Sequence, residues 1–144
     1  MKKIKESEAA EIIRCAGFRA TTPRIAVFSF LQKTSYPVTI RQILKDVRPR
    51  TINQTTVYRM LESFKKAGLV VQIDFQHGHA HYELAGERHH HHVVCTSCEK
   101  VEDVRGCNDD QLTEKALRQT SHFSGITSHS LEFFGVCKSC APSR

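Results

Sequence analysis

Long apolar runs are missing from this chain, and none approaches the roughly 20 residues that a membrane-spanning helix needs. The opening stretch Met1–Glu8 has no apolar core of the signal-peptide kind. Neither an integral membrane protein nor a conventionally secreted one is expected, and a cytoplasmic location follows. Internal repeats are absent, and His89–His92 is the only low-complexity run. The first half has a single cysteine, Cys15, and the second half has no positive excess. What is present is a globular composition, 40% hydrophobic and 25% charged over 144 residues, enough for one or two small domains.

The charge divides sharply. Residues 1–84 hold 14 Lys and Arg against 7 Asp and Glu, net +7, while residues 85–144 hold 7 against 8, net −1. A basic half is the footprint of a polyanion-binding domain, although a merely basic soluble surface has the same signature. Metal-binding residue types divide the other way. Seven of nine histidines lie between His77 and His92, the others being His122 and His129, and five of six cysteines follow residue 94. In a reducing compartment such cysteines point to metal rather than disulfides.

Residues 5–16 favour a helix stopped by Gly17. A second helix opens at Thr22-Pro23, with Thr22 as N-cap, buries Val27, Phe30 and Leu31, and ends near Thr34. A short third helix has Thr39 and Gln42 as a capping-box pair and ends at Pro49. The fourth, about 54–67, puts Val57, Met60, Leu61 and Phe64 on one face, with Gly68 as C-cap. Strands Leu69–Phe75 and Ala80–Leu84, joined by a turn at His77 and Gly78, complete a winged helix-turn-helix with an extra N-terminal helix. The basic fourth helix then suits the DNA major groove. Arg59 can grip a guanine edge or a phosphate, and Tyr58 can reach a phosphate or a thymine methyl. The plainer reading of both is solvated surface.

Beyond a hinge at residues 85–88, strands His91–Thr96, Val101–Val104 and Ser128–Val136 and a helix Asp109–Thr120 capped by Asn108 are expected. They form a small domain with few apolar residues, so metal and dimerisation must supply what the core cannot. The expected fold is therefore α+β: a winged-helix DNA-binding domain over 1–84, then an α/β metal-binding dimerisation domain over 89–144.

Two Cys-x-x-Cys knuckles, Cys95 with Cys98 and Cys137 with Cys140, stand 38 residues apart. Each turns two thiolates toward one point, and together they close a tetrahedral shell around Zn²⁺. A single knuckle would compete with a redox pair. Cys15 and Cys107 have no partner at this spacing and read as ordinary thiols. In the histidine run, strand alternation puts His90 and His92 on one face and His89 and His91 on the other, enough for two sites. His79 and His81 alternate likewise, with Glu83 next on that face. Mixed imidazole and carboxylate donors suit Fe²⁺, Mn²⁺, Zn²⁺ or Ni²⁺ without choosing among them. An affinity tag or a solvated polar strand is the bland alternative.

Together these stretches resemble the ferric uptake regulator (Fur) family of metal-dependent transcription factors. The likeness is carried in family order by 17–24 (GFRATTPR), 55–59 (TTVYR), 67–69 (AGL), 82–84 (YEL), 89–98 (HHHHVVCTSC) and 129–131 (HSL). The resemblance implies a homodimer whose winged-helix domains bind a palindromic operator in double-stranded DNA when metal is bound between the domains. It implies structural zinc at Cys95, Cys98, Cys137 and Cys140, and a regulatory site at Glu83, His90 and His92, which Asp103 sometimes joins. A further site matches His89, His91, Asp110 and His129. Candidate DNA contacts are Tyr58, Arg59, Thr55, Thr56, Arg19 and Arg24.

One departure stands out. The family's regulatory site usually takes another histidine just before the third helix, where this chain has Ser35, Tyr36, Pro37 and Val38. His79 or His81 could supply the missing ligand. Zinc-sensing members often carry Cys near Glu83 and peroxide-sensing members tend to Asp, so Glu83 leans toward Fe²⁺, with Zn²⁺, Mn²⁺ and Ni²⁺ as alternatives. The reading is a metal-responsive repressor of metal-homeostasis genes, of iron uptake in particular. A zinc- or peroxide-responsive relative is the alternative, and a redox-active zinc protein a more distant one. An enzyme is not expected, because four cysteines fill the coordination shell that a catalytic zinc must leave open.

Overall fold

Side-chain caps fix where two of the helices in the first half, the third and the fourth, begin. The computed structural model describes residues 6–47, 52–86, 90–106 and 108–142, and the chain divides into two units, Met1–Gly86 and Glu87–Arg144. In the first unit α1 (Glu6–Cys15), α2 (Thr22–Lys33), α3 (Ile40–Asp46) and α4 (Gln54–Lys66) are followed by β1 (Val70–Asp74) and β2 (Ala80–Leu84). Thr39 caps α3: its hydroxyl accepts the Gln42 amide while the Gln42 side chain takes the Thr39 amide. Asn53 caps α4 by accepting from the Thr56 amide at 2.8 Å.

Two details differ from the sequence reading of α2. Its N-cap is Thr21 rather than Thr22, with Pro23 still in the first turn. Its buried face is Val27, Phe28 and Leu31, and Phe30 is only partly buried. The reason is Phe64, whose ring meets Phe28 edge-on at 5.9 Å and Phe18 at 5.7 Å. α3 ends at Asp46, ahead of Pro49, which lies outside the described residues. On α4 the buried residues are Val57, Met60, Leu61 and Phe64. The C-cap is Ala67, and Gly68 follows at φ +73, a left-handed position that glycine takes without strain.

β1 and β2 pair antiparallel from Val70↔Leu84 to Asp74↔Ala80. The turn between them passes through Gln76 at φ 61 and Gly78 at φ 89, and the Gln76 amide donates to the Asp74 carboxylate at 2.7 Å. Val38 makes an isolated antiparallel bridge to Tyr82, which fastens the segment before α3 to the hairpin. The arrangement of three core helices and a bridged hairpin is a winged helix, with α1 as the extra helix.

The second unit holds β3 (His91–Cys95), β4 (Val101–Val104), α5 (Asp109–Arg118) and β5 (Glu132–Gly135). Its sheet has the order β4-β3-β5. β5 is half the length expected for Ser128–Val136, because only Glu132–Gly135 pairs with β3. α5 is likewise shorter than Asp109–Thr120, stopping at Arg118, with Asn108 as its N-cap. Among the described apolar residues of this unit only Val94 and Cys95 are buried, a core too thin to hold a fold by itself. No helix among the described residues is long and apolar enough to cross a membrane.

Candidate metal centres and nucleic-acid face

Parallel pairing of β3 with β5 builds the first centre. With Cys95 opposite Gly135, both strands leave the sheet at the same end, so the two knuckles emerge side by side. The sulfurs of Cys95, Cys98, Cys137 and Cys140 all lie within 4.8 Å of one another, and those of Cys98 and Cys137 are 3.6 Å apart. A tetrahedral Zn²⁺ with bonds near 2.3 Å separates its sulfurs by about 3.8 Å. These four are free cysteines, and the cluster suits zinc.

Backbone amides prepare two of the four sulfurs for a cation. The Cys137 amide donates to Cys95 Sγ at 3.3 Å and, with the amides of Cys98 and Ser97, holds the Cys95 thiol down to about 6. The Cys140 amide likewise draws Cys137 below the usual thiol range. Cys98 is pulled down by the Lys100 amide but pushed up further by the sulfurs of Cys95 and Cys137. Cys140, facing the sulfurs of Cys137 and Cys98, is pushed up to about 12. Four sulfurs this close cannot all be anionic without a cation among them.

A second set lies on the same sheet. The rings of His90 and His92 stand 4.9 Å apart. Asp103, opposite His92 across the β3–β4 ladder, brings Oδ1 to 3.8 Å from His92 Nε2. That buried oxygen has no hydrogen-bond partner, and Asp103 Oδ2 lies 3.7 Å from Arg105. A buried carboxylate oxygen without a donor calls for a partner. Glu83, in the first unit, is half-buried on β2.

On the other face of β3, His91 Nε2 lies 3.4 Å from His129 Nε2. Asp110 is exposed in the first turn of α5 and joins no cluster of converging ligands among the described residues. His89 and Cys107, which the sequence reading also singled out, lie outside the described residues. Cys15 is exposed at the end of α1.

The hairpin of the first unit carries a third set. His79 and His81 are gathered with His77, their ligand nitrogens all within 4.8 Å. His77 entered the sequence reading only as a turn residue. Its signal was there in the alternation 77, 79, 81, but whether a histidine beside a turn faces the strand depends on the turn's dihedrals.

The candidate nucleic-acid face belongs to α4. Thr55, Thr56, Tyr58 and Arg59 are exposed on the side away from the buried Val57, Met60, Leu61 and Phe64. Arg19 is exposed. Arg24 is half-buried: it donates to the Arg19 carbonyl at 3.0 Å and its guanidinium lies 5.4 Å over the Phe18 ring, which anchors the loop between α1 and α2.

Residues 15–134 match the model of the ferric uptake regulator family. The "Ferric uptake regulation protein" of Legionella pneumophila is 32% identical over 139 residues, 92% of this chain and 98% of that one. The crystal structure of the Vibrio cholerae ferric uptake regulator superposes with a TM-score of 0.74 at 28% identity, covering 88% of this chain and 98% of that one. A ferric uptake regulator from Pseudomonas aeruginosa, solved with manganese, gives a TM-score of 0.70 at 26% identity over 90% of this chain and 98% of that one.

Proposed function

The chain belongs to the ferric uptake regulator family, and from that premise we propose that it is a homodimeric, metal-responsive repressor of metal-homeostasis genes, iron uptake foremost. The observation that carries this reading is the pairing on one sheet of two unlike metal-ligand sets. Four thiolates in a closed cage hold zinc as part of the fold. The histidine–carboxylate set of His90, His92 and Asp103 has the nitrogen and oxygen donors of an exchangeable ion.

Glu83 completes that regulatory set in this proposal, with Fe²⁺ as the ion. A bound ion would supply a positive charge for both carboxylates and both imidazoles to share. The chain's own residues do the rest. Asp103 offers its unpartnered oxygen beside His92, and the exposed Arg59 and Tyr58 on α4, with Thr55, Thr56, Arg19 and Arg24, hold the operator. Metal that favours the DNA-competent arrangement raises operator affinity by the same factor that DNA raises metal affinity. A homodimer places two α4 helices on a palindrome. Exposed Phe133, Phe134 and Val136 beside a thin core support self-association of the second unit. The place of work is the cytoplasm, where operator and labile metal are both found.

The test is a selection of bound duplexes from a random library with Fe²⁺ under anaerobic conditions, followed by affinity with and without the metal. We expect affinity to rise at least tenfold with Fe²⁺. Equal affinity with and without any divalent ion would leave a constitutive DNA-binding protein and sink the sensor reading. A response to Zn²⁺ alone would move the chain to a zinc-responsive role.

A further inference from the structure

The wing hairpin carries three histidines that neither the thiolate cage nor the regulatory set uses. His77, His79 and His81 occupy the turn and the start of β2 at every second residue. Their rings pack together: His77 stacks on His79 at 4.0 Å with planes 22° apart, His77 and His81 are 5.0 Å apart, and His79 and His81 are 5.2 Å apart. One ligand nitrogen from each lies within 4.8 Å of the others. Phe75 closes one side, 4.8 Å from the His81 ring and 6.0 Å from His77.

His77 is the telling member. Both of its ring nitrogens are buried and neither has a hydrogen-bond partner. Buried imidazole nitrogens with nothing to bond have lost water without a replacement, and such groups call for a reason in native structures. A cation bound between the three rings would give those nitrogens a partner.

We propose that His77, His79 and His81 form a separate transition-metal site confined to the wing. Three neutral nitrogen donors with no carboxylate suit Zn²⁺, Ni²⁺, Cu²⁺ or Co²⁺ and disfavour the hard, oxygen-seeking Mn²⁺ and Mg²⁺. That donor preference differs from the regulatory set, where Glu83 and Asp103 add oxygens. Bound metal ties the turn, whose Gln76 and Gly78 lie at positive φ, to the strand that follows. It also adds two positive charges to the hairpin of a DNA-binding unit. The proposal does not rest on the regulator reading, because metal stoichiometry tests it without DNA.

The experiment uses the full chain with zinc already in its cysteine cage. Equilibrium dialysis against Co²⁺, counting cobalt and zinc separately, compares the wild type with the double variant His77→Gln/His79→Gln and with His90→Gln/His92→Gln. We expect the wing variant to bind one Co²⁺ fewer per chain with its zinc unchanged, and the strand variant to keep the wing equivalent. An unchanged cobalt count in the wing variant overturns the proposal. So does a count that falls to the same value in both variants and in their combination, which means one shared site. Should the wing variant not fold by circular dichroism, diethyl pyrocarbonate labelling of the wild type decides. Co²⁺ must protect the exposed His79, and equal labelling of it with and without the ion rejects the site.

Discussion

Phe64 is a single ring on which Phe18 and Phe28 both rest edge-on, fully buried in the core of the first unit. Truncation to Ala leaves a cavity under two aromatic neighbours and should cost about 3–5 kcal/mol, read from the shift in the urea midpoint. The cysteine cage makes a prediction of its own at this scale. Cys140 is pushed up to about 12 and Cys98 is raised above its ordinary value of 9.0, so both carry protons at pH 7, whereas Cys95 sits at about 6. Metal binds thiolates. Zinc uptake by the apo chain at pH 7 should therefore release at least two protons, and calorimetry in buffers of different ionisation enthalpy counts them. Release of fewer than two contradicts this division of labour. The sign for acid follows from the same groups: as pH falls, protons compete for all four sulfurs and zinc is lost.

At the scale of elements, α4 separates its two faces cleanly. Arg59 is exposed and makes no contribution to the buried row, so Arg59→Ala should leave the thermal midpoint within the usual range of surface changes. Operator affinity should fall by about 1–3 kcal/mol, roughly five- to 150-fold. Loss of stability without loss of DNA binding would show that α4 is not the reading helix. The cap of α3 is a milder case. Thr39→Ala removes the hydroxyl that accepts the Gln42 amide and should cost about 1 kcal/mol in the first unit.

The helical face of α4, the α3 capping box and the strand β2 were legible from spacing alone, because each depends on neighbours within a few residues. Other features were not. The choice of Phe28 over Phe30 on α2 needs the position of Phe64, which lies far along the chain. The short β5 needs β3 as its partner, since an apolar run ends as a strand only where pairing ends. The alternation 77, 79, 81 hinted at His77 but could not settle it as a ligand, because the left-handed dihedrals of Gln76 and Gly78 decide which way the turn presents it.

For the whole molecule the two units should part company when zinc is removed. The first has a continuous aromatic and aliphatic core, while the second buries little beyond Val94 and Cys95 among its described apolar residues. Cys137→Ser, or a strong chelator at mildly acidic pH, should unfold the second unit and leave the first folded. Amide exchange would show protection kept on α2 and α4 and lost on β3. Concerted loss over both units would contradict it.

Composition and local spacing determined that this chain has a basic helical half and a metal-binding half, and that two knuckles could cage zinc. Those properties follow from charge, period and ligand spacing, which are local. Tertiary structure decided which donors meet. The parallel register of β3 and β5 sets the knuckles side by side, the β3–β4 ladder brings Asp103 to His92, and the hairpin turn folds His77 onto His79 and His81. Which donors meet depends on strand pairing and turn geometry, and a metal site is made of such meetings.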